Sequence, residues 1–255
     1  MTTTLRRIVF FLGMIVIWEA VYRVYAQQTQ MFPSPFGSLE QLYIGLFETG
    51  ILTQALTESL QRIVIGFTLA LLIGGLLGIL IGVSKIADET LGSLVIALQS
   101  VPSIVWLPLA LVMFQGGEGA IYFVVILGGT WAMTMNMRMG IKNVSPILIR
   151  AAKTMGYSQT EIVWKVMLPA SVPSILTGAR LAWAFGWRAL MAAELIGRGG
   201  LGRTLMDARD FFNMELVVAI MIIISTIGLI VEYLIFSKIE KNVMSRWGYH
   251  RLQHK

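Results

Sequence analysis

The residues able to do chemistry are few. The chain has no cysteine, so disulfides, thiolate metal ligands and thiol nucleophiles are excluded together. Its two histidines, His250 and His254, both fall in a charged C-terminal tail. A histidine metal site or a Ser–His relay in the apolar body is therefore excluded, and acid–base work would fall to a few Asp, Glu and Lys. The ionisable residues that most need a reason lie inside apolar runs, where charge is costly and points by default to function. Arg180, Trp183, Trp187 and Glu194 recur at steps of three, four and seven, which puts them on one helical stripe. Arg188 lies roughly 100° from that stripe. An anionic substrate would want arginines or helix N-termini along its route. Arg180, Arg188 and Glu194 are thus candidates to line or gate a path, with Gln99 and Trp106 opposite. The competing reading is that Arg188 and Glu194 pair within the protein or reach for the interface. For Trp183 and Trp187, ordinary packing is the simpler expectation.

The elements that must position these residues are read from composition. Hydrophobic residues make up 56% of the 255 and charged residues only 13%, against about 25% charged in a soluble domain. That balance excludes a disordered chain, a nucleic-acid module and an ordinary soluble enzyme. Six predominantly apolar runs approach the roughly 20 residues of a spanning helix, near 8–25, 60–84, 91–114, 120–137, 174–195 and 216–236. In lipid, helices satisfy their own backbone hydrogen bonds, so the expected fold class is all-α with six transmembrane helices. Pro102 and Pro108 predict a kink or break in the third run. The first run, with Arg6, Arg7 and Val24-Tyr25-Ala26, has some features of a cleavable secretory signal. Glu19 and Arg23, spaced to pair at i,i+4, favour a retained helix instead.

The net charge of +6 follows from where the cations sit. With both ends inside, the cytoplasmic segments collect Arg6, Arg7, Lys85, Arg138, Lys142, Arg150, Lys153, Lys165 and the tail, while the outer loops hold only Arg198, Arg203 and Arg209. The positive-inside rule predicts cytoplasmic termini, and no nucleic-acid partner is needed to explain the charge. Small residues recur at every fourth position of the second run, Gly66, Ala70, Gly74, Gly78 and Gly82. They allow close backbone approach, more simply within the subunit than across a dimer.

Three stretches lie outside the runs. In 26–59, Pro33-Ser34-Pro35 makes a turn, and Ser38 with Gln41 reads as a capping box opening an interfacial helix. In 141–172, Ser145-Pro146 reads as N-cap and N1, and Gly156 suits the left-handed position that ends the helix. Ser158 with Glu161 then opens a second short helix that should stop near Leu168-Pro169. Each helix carries an apolar stripe: Leu148, Ala151, Ala152 and Met155, then Ile162, Val163, Val166 and Met167. Such stripes could lie on lipid, pack under the bundle or dock into another protein. The third stretch, 196–215, gathers Gly197, Gly199, Gly200 and Gly202 near Arg198 and Arg203. No GxxxxGK[ST] occurs in the chain, so a tight re-entrant turn is preferred to a phosphate loop.

Arg150-Ala151-Ala152-Lys153-Thr154-Met155-Gly156, followed after eleven intervening residues by Leu168-Pro169, resembles the EAA loop of binding-protein-dependent ABC importer permeases, with Arg150 in place of the usual leading Glu. Further segments are similar to the nitrate/sulfonate/taurine branch, which includes bicarbonate and thiamine-precursor carriers. They are Pro33-Ser34-Pro35, the run from Ser59 to Phe67, the run from Pro102 to Leu109, Leu168-Pro169 through Arg180, Ala193-Glu194 and Gly200-Leu201-Gly202. The resemblance covers nearly the whole chain.

It implies a type I importer (MetI-like) permease fold in a bacterial inner membrane. It also implies a permease dimer, two ATPase subunits that hold ATP and Mg, and an extracytoplasmic solute-binding protein. The residues expected to couple to the ATPases are Arg150, Ala151, Ala152, Met155, Gly156, Tyr157, Ser158, Glu161, Leu168 and Pro169. The chain itself would hold no cofactor or metal and would not be an enzyme. The expected organisation is a first helix and outer segment (1–59), a permease core containing the coupling loop (60–240) and a basic tail (241–255). The expected solute is a small anion of the sulfonate, taurine, nitrate or bicarbonate class. Alternatives are a thiamine-precursor-like pyrimidine or an ion-coupled secondary transporter.

Overall fold

The computed structural model describes residues 3–26 and 32–246; the tail histidines and the end of the basic tail lie outside them. Every regular element among these residues is helical. The helices are α1 (Thr3–Val21), α2 (Pro35–Tyr43), α3 (Ile51–Val83), α4 (Lys85–Gln99), α5 (Ser103–Met113), α6 (Glu118–Lys142), α7 (Pro146–Thr154), α8 (Gln159–Ala170), α9 (Val172–Glu194), α10 (Gly200–Asp210) and α11 (Met214–Val243). Of these, α3, α6 and α11 are long and apolar enough to cross a membrane, and the count reaches five if each bent pair, α4 with α5 and α8 with α9, is one span. Six spans were expected. The one not met is α1, which carries Arg6, Arg7 and Glu19 within its 19 residues. Its Glu19–Arg23 pair forms at 2.6 Å, as the i,i+4 spacing predicts.

The chain forms two compact units, residues 1–59 with 194–226 and residues 60–193 with 227–255. The second unit is organised by close approach of α3 and α6. A Cβ on Gly74 would come within 2.6 Å of the Thr130 carbonyl, and one on Gly78 within 2.5 Å of Met137. The small-residue stripe is thus an internal packing face, the simpler of the two expectations. Met133, Met137, Ile141 and Ala182 form the buried centre, flanked by Phe67, Leu71, Met167 and Leu168. Polar ties fix the edges of this unit. Arg62 is buried and donates to Glu118 at 2.8 Å. Asp88 accepts from both Arg138 and Lys142 at the end of α6.

The third run breaks as its prolines predict: α4 and α5 meet at 92° around Pro102. Two local expectations need correction. The N-cap of α2 is Ser34, whose hydroxyl accepts from Gly37 N–H at 2.8 Å, not Ser38. Pro35 at the first helical position, where its missing N–H costs nothing, decides the start. The second-run helix begins at Ile51, nine residues before the apolar run, because Glu58 and Arg62 are both satisfied within their own units. As expected, α8 ends beside Leu168-Pro169. A π-helical turn over Val163–Met167 lets Leu168 N–H donate to Val163 O, so the helix accommodates Pro169 and ends at Ala170, where it meets α9 at 68°.

In the first unit, Trp18 donates its indole N–H to Pro33 O at 3.0 Å, and Ser34 Oγ donates to Glu215 Oε1 at 2.8 Å. The carboxylate of Glu215 occupies the space where a Cβ on Gly37 would stand.

Candidate functional site

The 146–170 elbow is built by local chemistry. Ser145 and Pro146 open α7. Gly156 closes it with φ +83°, and its N–H donates to Lys153 O while Tyr157 N–H donates to Ala152 O. That pair of bonds is a Schellman closure. Ser158 and Glu161 then form a complete capping box: Ser158 Oγ accepts from Glu161 N–H, and Glu161 Oε2 accepts from Ser158 N–H at 3.0 Å. Lys165, one turn on, donates to Glu161 at 2.8 Å and sits 5.0 Å from the Tyr157 ring centroid. The Lys165 bond first, then the Ser158 N–H and hydroxyl, lower the Glu161 carboxyl pKa to about 2. The same pair raises the Lys165 pKa.

The elbow is anchored on one side and bare on the other. Ala152, Ile162 and Val163 are buried, and Leu168 packs on the Met133–Met137 centre. Ile147, Leu148, Met155 and Trp164 are exposed, Ile147 at 74% and Trp164 at 60%. Arg150, Ala151, Ser158 and Pro169 are exposed as well, and Tyr157 and Glu161 half-buried. The coupling residues expected from the sequence thus lie on one continuous element. The exposed apolar set also contains Ile147 and Trp164, which the heptad-like stripes had not picked out. The signal for Trp164 was its type: it is the one tryptophan in 141–172.

Of the candidate path residues, Gln99 and Arg188 are brought together. Both line a cavity of about 440 Å³ at the α4–α5 break, with Ser103, Trp131 and Phe185. Trp106 is not part of its lining; its indole nitrogen is buried without a hydrogen-bond partner. Arg180 lies elsewhere on α9, pairing with Glu232 and, at 3.0 Å, with Glu240 beside a second, small cavity of about 50 Å³. Trp183 and Trp187 stack at 6.0 Å, and Phe67 meets Trp183 edge-on, so the tryptophans pack as expected.

Glu194, fully buried in the first unit, accepts from Ser59 Oγ at 2.7 and 2.9 Å and from Gly202 N–H at 3.0 Å. Leu201 N–H donates to Ser59 Oγ, and Gly200 N–H donates to Glu58, both at 2.8 Å. The amides opening α10 are therefore taken up by the protein's own side chains, two of them by acids that the positive end of the helix dipole also favours. Gly200 has φ +81°, and a Cβ there would stand 2.2 Å from Glu194 Oε1. The glycine-rich stretch is a turn shaped around an internal carboxylate, in keeping with a tight turn rather than a phosphate cradle. Glu58 and Ser59 escaped sequence reasoning. The available signal was an acid in an apolar run beside a glycine turn, which needs amide or hydroxyl donors.

The signature of the family described as binding-protein-dependent transport system inner membrane component matches residues 70–241, which hold the elbow, the α4–α5 break and the Arg188 face. The chain belongs to this family. It is 34% identical over 223 residues to an ABC transporter permease protein of Methanocaldococcus jannaschii, with 86% of this chain and 83% of that one covered. It is 31% identical to the taurine transport system permease protein of Escherichia coli, covering 86% and 82%. Its fold is similar to that of the methionine ABC transporter in an inward-facing form, with a TM-score of 0.68 at 20% identity over 76% of this chain and 96% of that one. The chain is thus an ABC importer permease of the nitrate/taurine/sulfonate/bicarbonate type with a type I importer fold.

Proposed function

We propose that the chain forms the translocation path of an ATP-driven importer for a small anionic solute. Two copies, or this chain with a close relative, would stand over two ATPase subunits that carry ATP and Mg, and an external binding protein would deliver the solute. The bare apolar face of the elbow carries this reading. Ile147, Leu148, Met155 and Trp164 project from an element made rigid by a Schellman closure and a capping box. A stiff element with an uncovered apolar face transmits displacement without deforming, and that suits a handle driven by a separate motor. In this scheme the termini are cytoplasmic, as the cation distribution predicts. Residues 150–169 seat on the ATPases, and closure of those subunits turns the path outward.

The solute reading rests on the relatives, among them taurine and aliphatic sulfonate permease proteins of Escherichia coli, and on Arg188 at the cavity. The test is uptake into proteoliposomes reconstituted with and without the ATPase partner. Uptake that requires both the partner and internal MgATP is expected. Uptake driven by an ion gradient without the partner would contradict the proposal and favour a secondary carrier.

A further inference from the structure

The elbow carries a charge pattern that docking alone does not require. Residues 143–170 hold three cations, Arg150, Lys153 and Lys165, and a single acid, Glu161. Glu161 is already committed, since it accepts from Ser158 and from Lys165. The cations that precede the elbow, Arg138 and Lys142, both donate to Asp88. Among the described residues, Arg150 and Lys153 form no ion pair, and both are exposed. The positive-inside bias accounts for cations on this side of the membrane, but it acts little on acids and does not explain their lack here.

The position of Arg150 gives the charge its meaning. On α7, Ile147, Ala151 and Met155 form one exposed row at steps of four. Arg150, three residues after Ile147, borders that row, and Lys153 continues the line away from it. The opposite border is Ala152, which is buried in the unit. An element that covers Ile147, Leu148, Met155 and Trp164 must therefore also pass over or beside the Arg150 guanidinium. A cation partly stripped of water at such a rim needs an acceptor opposite, and a second cation there would repel it. The guanidinium fork fits a carboxylate with two parallel bonds. A helix that lies on lipid spreads its cations over its polar face, whereas here they flank one side of the stripe. The pattern favours a protein groove over a lipid surface.

We infer that the elbow's seat on the ATPase partner is an apolar groove whose rim carries a carboxylate where Arg150 enters, so that charge as well as shape selects the partner. The inference rests on the importer reading for the identity of the partner. The full chain in lipid nanodiscs is immobilised, and the ATPase subunit of the same transport system is passed over it at about 50 and about 300 mM NaCl. Nanodiscs of phosphatidylcholine alone and nanodiscs containing phosphatidylglycerol are compared. At the lower salt, Arg150→Glu should slow association by about tenfold or more and Arg150→Ala by about threefold, with both differences shrinking at the higher salt. The effect should be the same in both lipids. Arg150→Glu restores the residue usual in similar chains, so weaker binding by that variant would mark a seat of the opposite charge. Lysine in place of one rim carboxylate of the ATPase should recover binding of the Arg150→Glu chain and weaken that of the unaltered chain. Arg150→Ala decides the matter if Arg150→Glu does not insert. Association by Arg150→Glu as fast as, or faster than, that of the unaltered chain would overturn the inference. An effect confined to phosphatidylglycerol nanodiscs would assign Arg150 to lipid and overturn it too. Binding that ignores both salt and the Arg150 charge would sink the acidic rim and leave the importer reading intact. An unaltered chain that binds no ATPase at either salt would sink the importer reading itself.

Discussion

The elbow and the Glu194 knot are both built from polar caps on short helices, yet they end in opposite conditions. In the knot, Glu58, Ser59 and Glu194 absorb the first amides of α10, and Glu194 is fully buried. In the elbow the caps are equally complete, but four large apolar side chains stand in the open. The same chemistry closes one region onto itself and holds the other ready for something else. A buried acid whose donors are in place is retained for architecture, because losing any donor leaves charge or dipole uncompensated. An uncovered apolar face on a rigid frame adds nothing to stability, which suits the docking role proposed for it.

The largest effect is expected where the two regions carry the same backbone feature. Gly200 and Gly156 both have positive φ, but a Cβ at Gly156 meets nothing within 4 Å while one at Gly200 meets the Glu194 carboxylate. Gly200→Ala should cost about 1–2 kcal/mol for the left-handed backbone and about 1–3 kcal/mol more for the clash. Gly156→Ala should show only the first part. Denaturation midpoints in the same detergent check the difference, and equal losses would remove the steric account of the knot.

Next in size is Glu194→Gln, which weakens two charge-assisted acceptor bonds at the opening of α10. A loss of about 1–3 kcal/mol is expected, with transport by the surviving folded fraction unchanged. Reduced transport at full stability would instead make Glu194 part of the path. The elbow should behave conversely. Trp164→Ser or Met155→Ser should change stability by less than about 0.5 kcal/mol, since neither side chain is buried, and should weaken ATPase association. Gly156→Pro should leave membrane insertion intact and separate ATP hydrolysis from uptake, because proline cannot adopt φ +83°. Coupled uptake in that variant would deny the hinge its role.

The smallest effect is one of pH. The Glu161 carboxyl, with its pKa lowered to about 2 by Lys165 and Ser158, is ionised throughout the neutral range. Its contribution to the cap is present above its ordinary value of 4.5 and is lost as pH falls toward 2. Amide exchange at Glu161 and Ile162, corrected for intrinsic rates, should therefore be flat from pH 5 to 8, and Glu161→Gln should raise it throughout.

Legibility in the sequence followed contact range. Ser145-Pro146, Gly156 and Ser158 with Glu161 announced the elbow because capping partners lie within four residues of one another. Pro102 announced the broken helix for the same reason, and the glycine repeat of α3 announced a close-packed face. The knot was not legible: Ser59 and Glu194 are 135 residues apart, and no local pattern pairs a serine at the head of one run with an acid at the tail of another. Arg180 and Arg188 read alike, eight residues apart in one run. Only tertiary placement separates the one that meets Glu232 and Glu240 from the one that faces a cavity. Pro169 marked the end of α8 to within a residue, although Leu168 before it stays helical because a π turn precedes it.

The absence of native cysteine makes the central claim directly measurable. Single substitutions Met155→Cys on the elbow and Ile196→Cys beyond α9, both at exposed side chains, can be labelled with a membrane-impermeant maleimide in inside-out vesicles. Met155→Cys should label rapidly and become protected when the ATPase partner is added, while Ile196→Cys should not label from that side. Labelling of Met155→Cys that is indifferent to the ATPase, or that occurs only from the opposite face, would contradict the account.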